Sequence, residues 1–102
     1  MVFVSGTTGI DADGEVVGRQ DPHAQTAQAL ANVAAALETL GAGLADVVRT
    51  RMFVTNIDDW QEVGRAHGEV FGELRPATSM VEVSRLIAPE LLVEIEADAV
   101  IP

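Results

Sequence analysis

The chain predicts an α+β fold, two amphipathic helices on one side of a mixed or antiparallel sheet, and three patterns carry that expectation. Segments 45–55, "ADVVRTRMFVT", and 91–101, "LLVEIEADAVI", alternate apolar with polar residues, the period of a half-buried strand. Leu30, Val33, Leu37 and Leu40, and again Val63, Ala66, Val70, Phe71 and Leu74, recur at three- and four-residue steps, the period of one helix face. Gly41 and Pro76 fall where those two stripes end.

Taken in order, Val2 to Ser5 reads as a strand that runs into a Ser-Gly-Thr-Thr-Gly loop. Asp13-Gly14 has the chemistry of a tight turn, so Glu15 to Val17 is expected to return as a short second strand. Asp21-Pro22 is an N-cap followed by proline at the first helical position, and Gly41 stops the helix that follows. In the next strand Val48, Thr50, Met52 and Val54 share one face, with Arg49, Arg51 and Phe53 on the other. Asp58 and Gln61 have the spacing of a capping box before the second helix. "SMVEVSRL" (79–86) and "LLVEIEADAVI" (91–101) are the closing strands, giving the order β-β-α-β-α-β-β. Leu91, Val93, Ile95, Ala97, Ala99 and Ile101 face the helices, and Glu94, Glu96 and Asp98 face away. A sheet whose second face mixes Phe53, arginines and carboxylates is expected to be covered in an oligomer that packs such faces around an axis.

At 102 residues a single domain, 1–102, is expected. Hydrophobic residues make up 48%, with three Phe, one Trp and no Tyr, so small aliphatics must fill the core. The chain has no cysteine, which excludes disulfides and thiolate chemistry and fits a reducing cytoplasm. No stretch resembles a signal peptide or a span of roughly 20 apolar residues, so a soluble cytoplasmic protein is expected. The net charge of −10, six Lys plus Arg against sixteen Asp plus Glu, argues against nucleic acid and acidic membranes as partners.

The opening "FVSG", the block "ALANVAAALETLGAGLADVVRTRMFVTNIDDW" and the ending "RPATSMVEVSRL…VEIEADAV" together resemble the reactive intermediate deaminase (Rid, YjgF-type) family, over nearly the whole chain. The resemblance implies a chorismate-mutase-like fold and a homotrimer whose sheets line a central barrel, with small-molecule pockets between subunits. It also implies hydrolysis of 2-imino or 2-enamino acids to 2-keto acids and ammonia. In that chemistry an arginine two residues after the signature proline grips the substrate carboxylate, a glutamate on the last strand orients water, and a serine of the opening strand lines the pocket.

Carried over residue by residue, Ser5 and Glu94 match the serine and the catalytic glutamate. Thr78 stands at the arginine's position, and Gly64 at that of a pocket asparagine. The family's first strand and its loop tyrosine have no counterpart here, so the chain reads as lacking that strand. A threonine hydroxyl has one donor, two acceptors and no charge, which suits a neutral polar ligand better than a carboxylate. Arg65, Arg75 and Arg85 are the candidates to replace the clamp, although Arg75 also complements a helix dipole and Arg85 suits an ion pair with a neighbouring chain.

Three further features have plainer explanations beside functional ones. Glu94, Glu96 and Asp98 supply hard oxygen ligands, but side chains about 6 to 7 Å apart on one strand face suit ion pairing with Arg49 and Arg51 better than a small cation, and no metal or cofactor is expected. His23 is expected to be exposed. His67 is either a partly buried helix residue or an acid–base group beside Gly64. "SGTTG" lacks the lysine of a phosphate loop and reads as a ligand-lining loop or a plain strand-end turn. The candidate site is therefore Glu94 as catalytic residue, with Ser5, Thr78, Ser79, Gly64 and His67 binding substrate. Three functions stay open: a hydrolase acting on an imine, enamine or related metabolite with weak or no standard 2-imino acid deaminase activity, a non-catalytic metabolite-binding or regulatory trimer, and, against the charge, a ribonuclease or translation inhibitor.

Overall fold

The computed structural model describes residues 1–102. In chain order it contains β1 (Val2–Thr8), α1 (Pro22–Thr39), β2 (Val47–Val54), α2 (Trp60–Phe71), β3 (Ala77–Glu82) and β4 (Val93–Ala99), with 3₁₀ turns at Leu44–Asp46 and Ile57–Asp59. The four strands form one mixed sheet in the order β1-β4-β2-β3, and both helices pack on one face of it. β4 runs antiparallel to both its neighbours, whereas β3 joins β2 in parallel after the α2 crossover. The α+β expectation holds, with two-sided pairing of the most regular strand at the centre. No helix is long and apolar enough to cross a membrane.

Local chemistry accounts for α1. The Asp21 carboxylate accepts from the Ala24 N–H at 3.1 Å, with Pro22 in the first turn. At the other end Gly41 takes φ +78°, and the Ala42 and Gly41 N–H groups donate back to the carbonyls of Leu37 and Glu38, closing the helix with a left-handed glycine. Leu30, Val33 and Leu37 are buried against Val63 and Phe71 of α2 and against Val93, Ile95, Ala97 and Ala99 of β4. The fully buried Gln25 ties α1 to two loops, donating to the carbonyls of Gly18 and Glu90 and accepting from the Leu92 N–H. The buried amide thus has its donor and acceptor met by backbone groups of those loops.

Several expectations need correction. Glu15 to Val17 forms no strand, because the Asp11 carboxylate captures the N–H groups of Asp13 and Glu15 and folds the segment into a turn, leaving a single Ile10–Val16 bridge. The Asp58/Gln61 capping box is absent. Asn56 caps the preceding 3₁₀ turn through the Asp58 N–H, so α2 starts one residue later than that pattern implies. Val48 is exposed and Val47 buried, since a bulge between Val47 and Arg49 shifts the alternation before Thr50 resumes it. Leu40, Leu74 and Ile101 lie beyond the ends of their elements and are exposed. β3 begins at Ala77, so Thr78 and Ser79 are strand residues, and it ends at Glu82, which leaves Arg85 in an irregular exposed segment.

Candidate functional site

Two clusters occupy opposite edges of the sheet. One is a groove of about 280 Å³ between α2 and β3, lined by His67, Gly68, Phe71, Gly72, Arg75, Pro76 and Thr78. The parallel register sets Thr50 of β2 beside Thr78 of β3, on the face that α2 covers. His67 Nε2 lies 2.9 Å from Thr50 Oγ1, Thr50 Oγ1 lies 3.0 Å from Thr78 Oγ1, and Thr78 donates to the Pro76 carbonyl at 3.0 Å. The His67 ring also leans on Phe71, with centroids 4.8 Å apart. Arg75 has a φ of +50°, a left-handed conformation that places a non-glycine residue at a cost, and it belongs to no ion pair.

The other cluster forms where β1 bulges. Val4 pairs with Ala97 and Thr7 with Ile95, so the Ser5-Gly6 step carries one extra residue against β4. Glu94 is half-buried and its carboxylate lies over Gly6: a Cβ built there would meet Glu94 Cδ at 2.7 Å and its oxygens at 2.9 and 3.0 Å. Glu94 belongs to no ion pair, whereas Glu96 and Asp98 turn to Arg51 at 3.7 and 3.3 Å. The acidic stripe is thus divided, two carboxylates in cross-strand ion pairs and one beside a glycine. Arg49 takes no share in that pairing.

The predicted site residues are distributed unevenly between these clusters. Ser5 lies in the bulge next to Gly6, the residue over which the Glu94 carboxylate rests. Thr78 and His67 meet in the groove. Ser79, next along β3, faces the opposite side from Thr78, opposite Arg51 in register. Gly64 lies one helical turn before the groove, with open space where a side chain would stand. Within one chain Glu94 and Thr78 are separated by β2 and lie on opposite faces of the sheet. Of the three arginines, Arg75 lines the groove, Arg65 is held by Glu62 and Glu69 on the surface, and Arg85 is in neither cluster. His23 is half-buried, not free, and bridges to Glu69 of α2 at 2.6 Å. Sequence reasoning missed Thr50 and Gly6. Thr50 had one signal, being the polar residue on an otherwise apolar buried face, where a hydroxyl requires a partner.

His67 is 8% exposed, and burial lowers its pKa below the ordinary value of about 6.5. The groove lining adds the cation Arg75 and no carboxylate to offset this. The unfolded chain therefore binds a proton here at a higher pH than the folded chain does. Stability contributed by neutral His67 is complete above about pH 6.5 and is lost as pH falls from there through the lower folded value. Urea midpoints measured between pH 7.5 and 5.5 are expected to fall with acid, and His67→Gln to show a shallower slope across that window. An unchanged slope would remove His67 from the pH response.

A sequence model of the family described as endoribonuclease L-PSP matches residues 1–101. The crystal structure of Rv2704 from Mycobacterium tuberculosis, described as a member of the YjgF/YER057c/UK114 family, is 55% identical, with a TM-score of 0.87 over 97% of this chain and 77% of that one. Escherichia coli TdcF with bound serine is 29% identical, with a TM-score of 0.89 over 98% of this chain and 80% of that one. A RutC family protein of Pyrococcus abyssi is 39% identical over 100 residues, 97% of this chain and 77% of the relative.

Proposed function

This chain belongs to the Rid/YjgF family, the one described as endoribonuclease L-PSP, and on that premise we propose that it binds a small metabolite in clefts between the subunits of a homotrimer. The observation that carries this reading is the division of the candidate site between two edges of one sheet. The Glu94–Gly6–Ser5 edge of one copy, set against the His67–Thr78 groove of the next, makes one cleft containing both halves. Sheets packed around a three-fold axis into a barrel also cover the outer face that carries Phe53 and the exposed Phe3 and Val81.

In that cleft Glu94 orients a water for attack on the C=N carbon of an imine, enamine or related metabolite, while Ser5 and Thr78 hold the ligand; Ser79, on the other face of β3, takes no part. Standard 2-imino acid turnover is weak or absent. Thr78 brings no charge to a carboxylate, and its hydroxyl is already engaged by Thr50 and Pro76. That engagement also supports a second reading, a trimer that binds the metabolite without transforming it. The bound serine of TdcF supports a small molecule over RNA, and so does a net charge of −10, which supplies no cationic track.

Light scattering is expected to give a mass about three times that of the chain. An assay in which an amino-acid oxidase generates the imine and keto-acid release is followed should show slow wild-type turnover. Thr78→Arg should raise it at least about tenfold, the worth of one charge-assisted hydrogen bond in a dry pocket. A monomer would remove the shared cleft. Fast wild-type turnover that Thr78→Arg leaves unchanged would show that another group already holds the substrate.

A further inference from the structure

We infer that His67 reads a hydrogen-bond donor on the ligand: its Nδ1, oriented by the Thr50–Thr78–Pro76 chain, accepts from an N–H of a small amide- or amine-bearing molecule in the groove. The direction of every bond in that chain follows from its last member. The Pro76 carbonyl can only accept, so Thr78 uses its single hydroxyl proton there. The Thr50–Thr78 contact must then be donated by Thr50. With the Thr50 proton used, the contact to His67 must be donated by the ring, which puts the hydrogen on Nε2. A neutral imidazole protonated on Nε2 offers its lone pair at Nδ1.

The position of that lone pair follows from the hydrogen-bond pattern. Nδ1 has no partner in the chain, yet no buried side-chain nitrogen or oxygen lacks one, so Nδ1 is reached by solvent. The open space beside His67 is the groove. Thr50 fixes one end of the ring and Phe71 one side of it, so the acceptor is aimed and not free to swing. Burial keeps the ring neutral near pH 7, which leaves the lone pair available. Neither Thr78 nor Thr50 has a proton left to donate, so the hydrogen-bonded chain presents this end of the groove with acceptors, and a ligand group with N–H bonds meets them.

The assignment rests on the small-molecule cleft proposed above, but its test reads the groove without turnover or Glu94. Two-bond proton–nitrogen NMR spectra of the histidine-labelled full chain are expected to show His67 protonated on Nε2. Thr50→Val should mix the tautomers, and Thr50→Ser should restore one. Titration with acetamide should move the His67 Nδ1 resonance at concentrations at least about tenfold below those needed with N,N-dimethylacetamide, the ratio set by one hydrogen bond to a desolvated group. A wild-type ring protonated on Nδ1, equal responses to the two amides, or no response to either would overturn the inference, whether or not the Thr50 variants fold. A protein inactive in the imine assay that passes these measurements loses the hydrolase reading and keeps the groove assignment. The reverse outcome keeps Glu94 and removes His67.

Discussion

Glu94→Ala is expected to lower imine hydrolysis by about two to four orders of magnitude, the usual contribution of a positioned acid–base group. The measurement belongs in the Thr78→Arg background, where turnover is fast enough for such a loss to be resolved. Glu94 is singled out by what it does not do. Its neighbours Glu96 and Asp98 are both committed to Arg51, while Glu94 has no cation and rests over a glycine. A carboxylate free of an ion pair keeps its lone pairs for a water. If Glu94→Ala retains most of the activity, water is activated elsewhere and the bulge cluster is structural. If instead wild-type turnover is robust and Glu94→Ala abolishes it, the glutamate's role stands and the missing clamp has a substitute, with Arg75 the first candidate because it lines the groove unpaired.

Much of this arrangement was legible in the chain, and what was not has identifiable causes. The helix stripes, the Asp21-Pro22 start and the Gly41 stop are local signals, and each sits where its chemistry directs. The faces of β4 followed from an unbroken alternation that no bulge interrupts between Val93 and Ala99. Where a bulge intervenes, at Val47/Arg49, the alternation loses its count, and Val48 falls on the unexpected face. β1 runs on to Thr8 through the Ser5-Gly6 bulge, where glycine and hydroxyl composition reads as a loop. Glu15 to Val17 failed differently. A turn signal was correctly seen at Asp13-Gly14, but the Asp11 carboxylate competes for the amides that a returning strand needs. The His67–Thr50–Thr78 chain spans three elements and depends on parallel pairing through a crossover, and single-chain spacing carries no information about such pairing. Ser5 and Glu94 came from resemblance. Periodicity alone would have left Glu94 as one of three equivalent outward-facing acids.

Gly6→Ala is expected to cost about a hundredfold in the same assay while leaving the fold in place. A methyl group at residue 6 lands 2.7 Å from Glu94 Cδ, closer than two carbons can approach, so something must move. The obstructing atoms are the far end of a flexible side chain, and residue 6 needs no left-handed backbone, so rotation of the Glu94 carboxylate relieves the contact without disturbing the sheet. The stability change should therefore be small. Misplacement of a water-orienting carboxylate by about 1 Å is enough for a loss of that size. Gly43→Ala, where the added methyl meets nothing within 4 Å, serves as the control and should keep full activity. A double-mutant cycle separates displacement of Glu94 from any independent effect at the bulge. If Gly6→Ala acts through Glu94, it should cost almost nothing when added to Glu94→Ala, because the group it displaces is already gone. Additive losses would mean that the Ser5-Gly6 backbone contributes to the cleft in its own right, through ligand contacts that the glycine leaves open.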